Sequence, residues 1–174
     1  MEISNYGVTL RRLTEDKIEM IRNWRNDPKI AQYMEYKEYI SPEMQKKWFD
    51  KINNDNNYYF LIVVDNKEIG LINIRDIDYE KREGEGGIYI YDDEYLNSDI
   101  SFRSVLLLFD FGFEKLGLEQ ITAHILKSNK RAIKYNIAIG YQIVNYNDLN
   151  ENQLYVLTKE NFNNKKKIIN QFLN

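Results

Sequence analysis

His124, the single histidine of this 174-residue chain, lies in an alternating stretch. Ile121, Ala123 and Ile125 take one face there, and Thr122, His124 and Leu126 the other. A strand histidine is either a structural hydrogen-bonder or a base, and imidazole chemistry suits taking a proton from an ammonium. Glu85 is the other candidate base, provided burial lifts its carboxyl out of the ordinary range. Glu85-Gly86-Gly87 also suits a strand bulge or a close backbone approach. Arg25 can pair with a phosphate, and its neighbour Trp24 either stacks on a base or packs in the core. The chain has no cysteine, which removes disulfides, thiolate metal sites and a thiolate nucleophile together. One histidine leaves no His-rich site, so no metal is expected.

The elements that must position these residues follow from period and punctuation. Val8–Leu13 reads as a first strand, and Thr14 as the N-cap of a helix carrying Ile18, Ile21 and Trp24 that stops before Asp27-Pro28. Ile30–Met34 reads as a short helical piece. Ser41-Pro42 opens a further helix with Met44, Trp48, Phe49 and Ile52 on one face. The period then changes to two: Tyr58–Val64, a turn at Asp65–Glu68, Ile69–Ile74, and a third strand at Ile88–Tyr91 after Gly84–Gly87. Ser101–Leu116 is the strongest helix, with Gly117 as its stop. A strand at Gln120–Leu126, a helix at Lys130–Ile139 capped by Asn129, and closing strands at Tyr141–Tyr146 and Gln153–Leu157 complete the pattern. Residues 160–174, with Lys165–Lys167, read as a polar surface tail. This order implies one domain over residues 1–174, of α+β or mixed α/β class, with helices on both faces of a sheet.

Composition narrows the function classes. A net charge of −3 disfavours a nucleic-acid binder, whose footprint is a clustered basic face. No apolar run approaches the roughly 18–20 residues of a membrane span. Met1–Thr9 has neither the basic nor the apolar region of a signal peptide, so a cytoplasmic location is expected. The 14 tyrosines are enough to line a sugar or nucleotide pocket, although compositional bias alone accounts for such a number.

Four stretches together resemble the GNAT acyl-CoA N-acetyltransferase superfamily. They are Trp24-Arg25-Asn26-Asp27-Pro28, Ile69-Gly70, Phe111–Leu118, and Lys127–Ile133 through Gly140-Tyr141. The spacing of Asn129, Ala132 and Gly140-Tyr141 is similar to the family's N-x-x-A…G-F signature. Within the family, three features look most like the nucleotide-sugar N-acetyltransferases of the pseudaminic acid pathway. These are Trp24-Arg25-Asn26 followed by Ile30–Met34, Tyr59-Phe60-Leu61, and Lys127-Ser128-Asn129. Ribosomal-protein N-terminal acetyltransferases share the Trp-Arg-Asn-Asp-Pro theme and form a competing reading, as does a non-catalytic binding module on the same fold.

The resemblance implies a mostly antiparallel central sheet with a splayed strand pair, acetyl-CoA as cosubstrate, and a primary amine on a small acceptor. It implies that backbone groups of Ile88, Tyr89 and Ile90 serve the thioester and pantetheine. The pyrophosphate would sit on the loop and helix start at Asn97, Ser98, Asp99, Ile100 and Ser101. The family's glycines would fall near Asn97, Asp99 and Ser101, and none is present. As a helix N-cap, Asp99 would compete for the N–H groups the phosphates need, with Arg103 or Lys130 as compensating cations. Asn129 corresponds to a coenzyme contact, and Trp24, Arg25 and Asn26 to the acceptor region. The family's acid, a tyrosine seven residues after this asparagine, is Asn136 here; Tyr135 is adjacent and should face elsewhere. Direct attack in a ternary complex is expected, without a metal, nucleic acid or membrane. An open sheet edge after Gln153–Leu157 leaves a homodimer possible.

Overall fold

A computed structural model describes residues 1–144 and 146–173. The sheet begins with two hairpins, each closed by two residues with positive φ. Tyr6 and Gly7 (57° and 73°) join β1 (Glu2–Asn5) to β2 (Val8–Arg12), and Asp65 and Asn66 (48° and 63°) join β3 (Tyr58–Val64) to β4 (Lys67–Asp78). Such turns match the right-handed twist of the strands they connect. β5 (Glu83–Ile90) pairs antiparallel with β4, and β6 (Gln120–Leu126) pairs parallel with β5. With β7 (Gln142–Ile143) and β8 (Asn152–Thr158), the eight strands run in the order β1-β2-β3-β4-β5-β6-β8-β7.

Helices cover both faces, as the order of elements implied. α1 (Ile18–Asn26) and α3 (Pro42–Ile52) bury Ile21, Trp24, Phe49 and Ile52 against Leu61, Val63 and Leu71. α2 (Pro28–Ala31) starts at the proline, two residues earlier than expected, because the Asp27 side chain caps it through Lys29 N–H. On the opposite face α4 (Ile100–Asp110) runs into a π-turn at Phe111–Lys115 and buries Val105, Leu106, Leu108, Phe109 and Phe113. α5 (Lys130–Ile139) is capped by Asn129, whose side chain accepts from Ala132 N–H at 3.0 Å. It ends at Gly140, whose φ of 115° only glycine adopts without strain.

The structure departs from these expectations at several elements. β1 was not foreseen, because Glu2–Asn5 offers one apolar residue; it is paired to β2 through its backbone and through polar side chains, Ser4 with Thr9 and Glu2 with Arg11. The glycines at 84, 86 and 87 lie inside β5 rather than before it; the irregularity they suggested falls on β4, where the register shifts between Arg75 and Asp78. The tail is a packed helix, α6 (Lys159–Phe172): Phe162 is fully buried, Ile169 and Leu173 pack on the core, and Lys166 bonds Asp110 at 2.6 Å. The edge expected at Gln153–Leu157 is covered, since β8 lies between β6 and β7. The closing strand expected over residues 141–146 is described only as Gln142–Ile143, and Asn145 lies outside the described residues.

Candidate active site

The parallel pairing of β5 and β6 is short. It covers Glu83–Glu85 against Gln120–Thr122 and stops, while both strands continue. Tyr91 N–H donates to the Ile69 carbonyl at 2.8 Å, which sets the parity of the β4–β5 ladder. Odd-numbered residues of β5 turn their backbone groups to β4, and even-numbered ones turn away from it. Ile88 and Ile90 therefore direct their backbone N–H groups into the opening between β5 and β6. Tyr89 does not: its backbone belongs to the β4 ladder opposite Leu71, and its side chain packs beside the α1 face of the core.

Gly86 marks the vertex of the opening. A Cβ there would lie 2.9 Å from Ile121 Cγ2 and 3.1 Å from the Tyr141 hydroxyl, so only glycine lets α4, β6 and Tyr141 close on the strand. Burial pushes the Tyr141 hydroxyl well above the ordinary phenol range, and Tyr135 and Glu85 add to the shift. Tyr135 is likewise raised by burial; it faces α4 and donates to the Ser101 carbonyl at 2.8 Å.

The loop before α4 answers the question raised by its missing glycines. Asp99 makes no side-chain cap; its carboxylate turns onto Arg103 at 2.8 Å. Ser98 takes the Ile100 N–H instead, and the N–H groups of Ser101 and Phe102 carry no hydrogen bond among the described residues. Arg103 is itself committed, bonding also to the carbonyls of Tyr6 and Leu173, and so is turned to fold rather than ligand. Arg131 bonds the Leu96 carbonyl and tethers the loop to the start of α5. A helix start with open N–H groups, a neutralised acid and the cations Lys130 and Arg131 nearby fits a phosphate-bearing cosubstrate.

Across the vertex, on the α1 face, lies an open cleft of about 590 Å³. Glu85 and His124 meet there, Oε1 to Nδ1 at 3.2 Å. The other strand partner is Arg75, directly opposite Glu85, whose Nη2 bonds the same Oε1 at 2.6 Å. Glu35 closes one side, and Asn150, Glu151 and Asn152 at the start of β8 close the other. Arg75, Glu35 and residues 150–152 escaped the sequence reading. Arg75 was legible only through the β4–β5 register; the others come from loops that carry no periodic signal.

The three residues expected near an acceptor divide. Trp24 is core, stacked on Tyr91 with centroids 4.9 Å apart. Asn26 clamps a loop, exchanging two hydrogen bonds with the backbone of Ile40 at 2.8 and 2.9 Å. Arg25 has no salt bridge among the described residues, and its Nε is buried without a partner, as is the Tyr89 hydroxyl. Tyr59 is pushed up to about 12 by burial, against which the positive charges of Arg75 and Arg25 both act. Arg75, in phase with Leu71 on β4, and Arg25, on α1, belong to this same face of the sheet.

Residues 8–142 match the acetyltransferase (GNAT) domain family. The chain belongs to this family. Like the fold, the match places it among N-acetyltransferases, which draw their acetyl group from acetyl-CoA. Acetyltransferase PseH of Campylobacter jejuni subsp. jejuni serotype O:23/36 is 29% identical over 131 residues, covering 73% of this chain and 80% of the relative. The apo structure of FdhC, described as a nucleotide-linked sugar GNAT, superposes with a TM-score of 0.81 at 25% identity, over 100% of this chain and 99% of that one. Spermidine N-acetyltransferase from Vibrio cholerae, solved with CoA and spermine, has a TM-score of 0.76 at 20% identity, over 91% and 99%, and shares the fold. The candidate site is two-sided, with backbone N–H groups turned into the opening between β5 and β6 and a polar cleft on the α1 face.

Proposed function

We propose that this acetyltransferase acetylates the primary amine of an amino sugar carried on a nucleotide. The observation that carries the reading is the cleft: Glu85 and His124 stand at the strand vertex, among carboxylates, amides and an arginine. Such a lining suits an acceptor that presents hydroxyls around one amine. Arg25, without an ion-pair partner on the same face, suits the phosphate of a nucleotide carrier. The likeness to a nucleotide-linked sugar GNAT, and the sequence resemblance to nucleotide-sugar acetyltransferases, support the same class.

Bound acetyl-CoA supplies a thioester carbonyl, the electrophile that the amine attacks. In this reading the N–H groups of Ile88 and Ile90 polarise that carbonyl, where negative charge develops as the nitrogen adds. Ser101, Phe102, Lys130 and Arg131 serve the phosphates, and Asn129 holds α5 in register beside them. The Glu85–His124 pair takes the proton that the acceptor ammonium must lose, because only the neutral amine is nucleophilic. Both reactants are held at one vertex, which replaces a bimolecular encounter with a positioned one.

The test is a panel of acceptors followed by release of free CoA thiol: UDP- and dTDP-linked amino sugars, the same sugars without nucleotide, and spermidine. The expected result is a kcat/KM at least tenfold higher for a nucleotide-linked amino sugar than for its free sugar or for spermidine. Equal or better turnover of spermidine contradicts the proposal.

A further inference from the structure

We propose that Arg75 is a positioning residue: it holds the Glu85 carboxylate against Nδ1 of His124, leaving Nε2 of that histidine to take the proton of the incoming amine. The inference deepens the proposed reaction and rests on it for its chemistry, but it does not depend on which acceptor is used.

The geometry assigns different work to the two candidate bases. Arg75 and Glu85 face each other across the β4–β5 ladder, so their pairing is built into the register rather than left to two mobile side chains. One oxygen, Glu85 Oε1, receives the Arg75 guanidinium at 2.6 Å and lies 3.2 Å from His124 Nδ1. That oxygen is already engaged by the guanidinium, so it is not free to receive the proton of an incoming amine. With Nδ1 of His124 3.2 Å from that carboxylate oxygen, Nε2 is the ring nitrogen left to meet the amine. Exposure agrees: the His124 side chain is 43% exposed and Glu85 only 19%, so the histidine reaches the cleft and the glutamate stands behind it. The proton balance is simple. An alkylammonium gives one proton to Nε2 and becomes the neutral nucleophile; the imidazolium is stabilised by Glu85, and the proton passes to solvent after transfer.

Other groups around the histidine come from each neighbouring element. Glu35 follows α2, Asp76 adjoins Arg75 on β4, and Glu151 precedes β8; Tyr59 reaches the arginine from β3, and Tyr141 approaches the vertex. Among the described residues only Glu85 forms an ion pair with His124.

His124 is the only histidine, so the NMR titration of its imidazole Cε1–H reads this site alone in the full chain, with no acceptor present. The variants are Arg75→Met, Arg75→Lys and Glu85→Gln. Removing the guanidinium leaves the Glu85 anion uncompensated, so Arg75→Met should raise the His124 midpoint. Glu85→Gln removes the anion and leaves the cation, and should lower the midpoint. Arg75→Lys keeps the charge and should stay within a few tenths of a unit of the parent. The acidic limb of kcat/KM should move with each midpoint. Arg75→Met should lose about tenfold in kcat at its plateau, with part recovered in Arg75→Lys. Midpoints that move together or not at all overturn the arrangement, as does a His124→Gln variant that keeps the parental acidic limb. If the acceptor panel fails while the midpoints move in opposite senses, the proposed substrate falls and the Arg75 assignment stands.

Discussion

Asp99 stands at the proposed phosphate site, and it is accommodated by Arg103 four residues along the same helix. The pair removes a repulsive carboxylate from the helix start and leaves the dipole and open N–H groups to act. Arg25 is the opposite case. Among the described residues it has no acidic partner, and it lies on a face where the Tyr89 hydroxyl also lacks a hydrogen-bond partner. A charge left in that condition is costly unless a ligand meets it. Arg25→Ala should therefore raise KM for a nucleotide-linked acceptor by about tenfold, the equivalent of one charge-assisted hydrogen bond. Steady-state kinetics on that acceptor and on the free sugar check this. A KM increase of the same size for both would place Arg25 in the framework of the cleft rather than at a phosphate.

The splayed strand pair and α6 decide the shape of the site at the scale of elements. α6 fixes the far side of α4 through Phe162, which stacks near Phe113 at a centroid distance of 5.2 Å, and through Lys166 on Asp110. Phe162→Ala should cost roughly 3–5 kcal/mol, as truncation of a buried aromatic does, and urea unfolding measures it. A loss below about 1 kcal/mol would mean that the tail is dispensable, as its composition suggested. That misreading has a physical source. The apolar residues Phe162, Ile169 and Leu173 are diluted among asparagines and lysines, so the face they share is visible only once the helix is given. The meander and the long helix were legible, because their periods of two and 3.6 and their turn residues agree. Arg75 was not, since its function depends on being opposite Glu85 across a turn and a register shift. Asn129, Gly140 and Ser41 carried their capping roles in their identities alone.

The whole molecule is a sheet covered on both faces, with one opening between β5 and β6. The starts of α4 and α5, where the proposed phosphate site lies, are on one face, while the α1 face carries the Arg75–Glu85–His124 cluster and the cleft. Glu85 pairs with Thr122 at the last rung before β5 and β6 part, so donor and acceptor would meet where the sheet itself divides. In the proposed mechanism this arrangement holds the coenzyme without glycines before α4. The measurement that tests it most directly is calorimetric titration of the protein with acetyl-CoA, with desulfo-CoA and adenosine bisphosphate as controls. The account predicts micromolar binding, equivalent to about −8 kcal/mol, with most of it retained by desulfo-CoA. No heat and no thermal shift at millimolar coenzyme would contradict it.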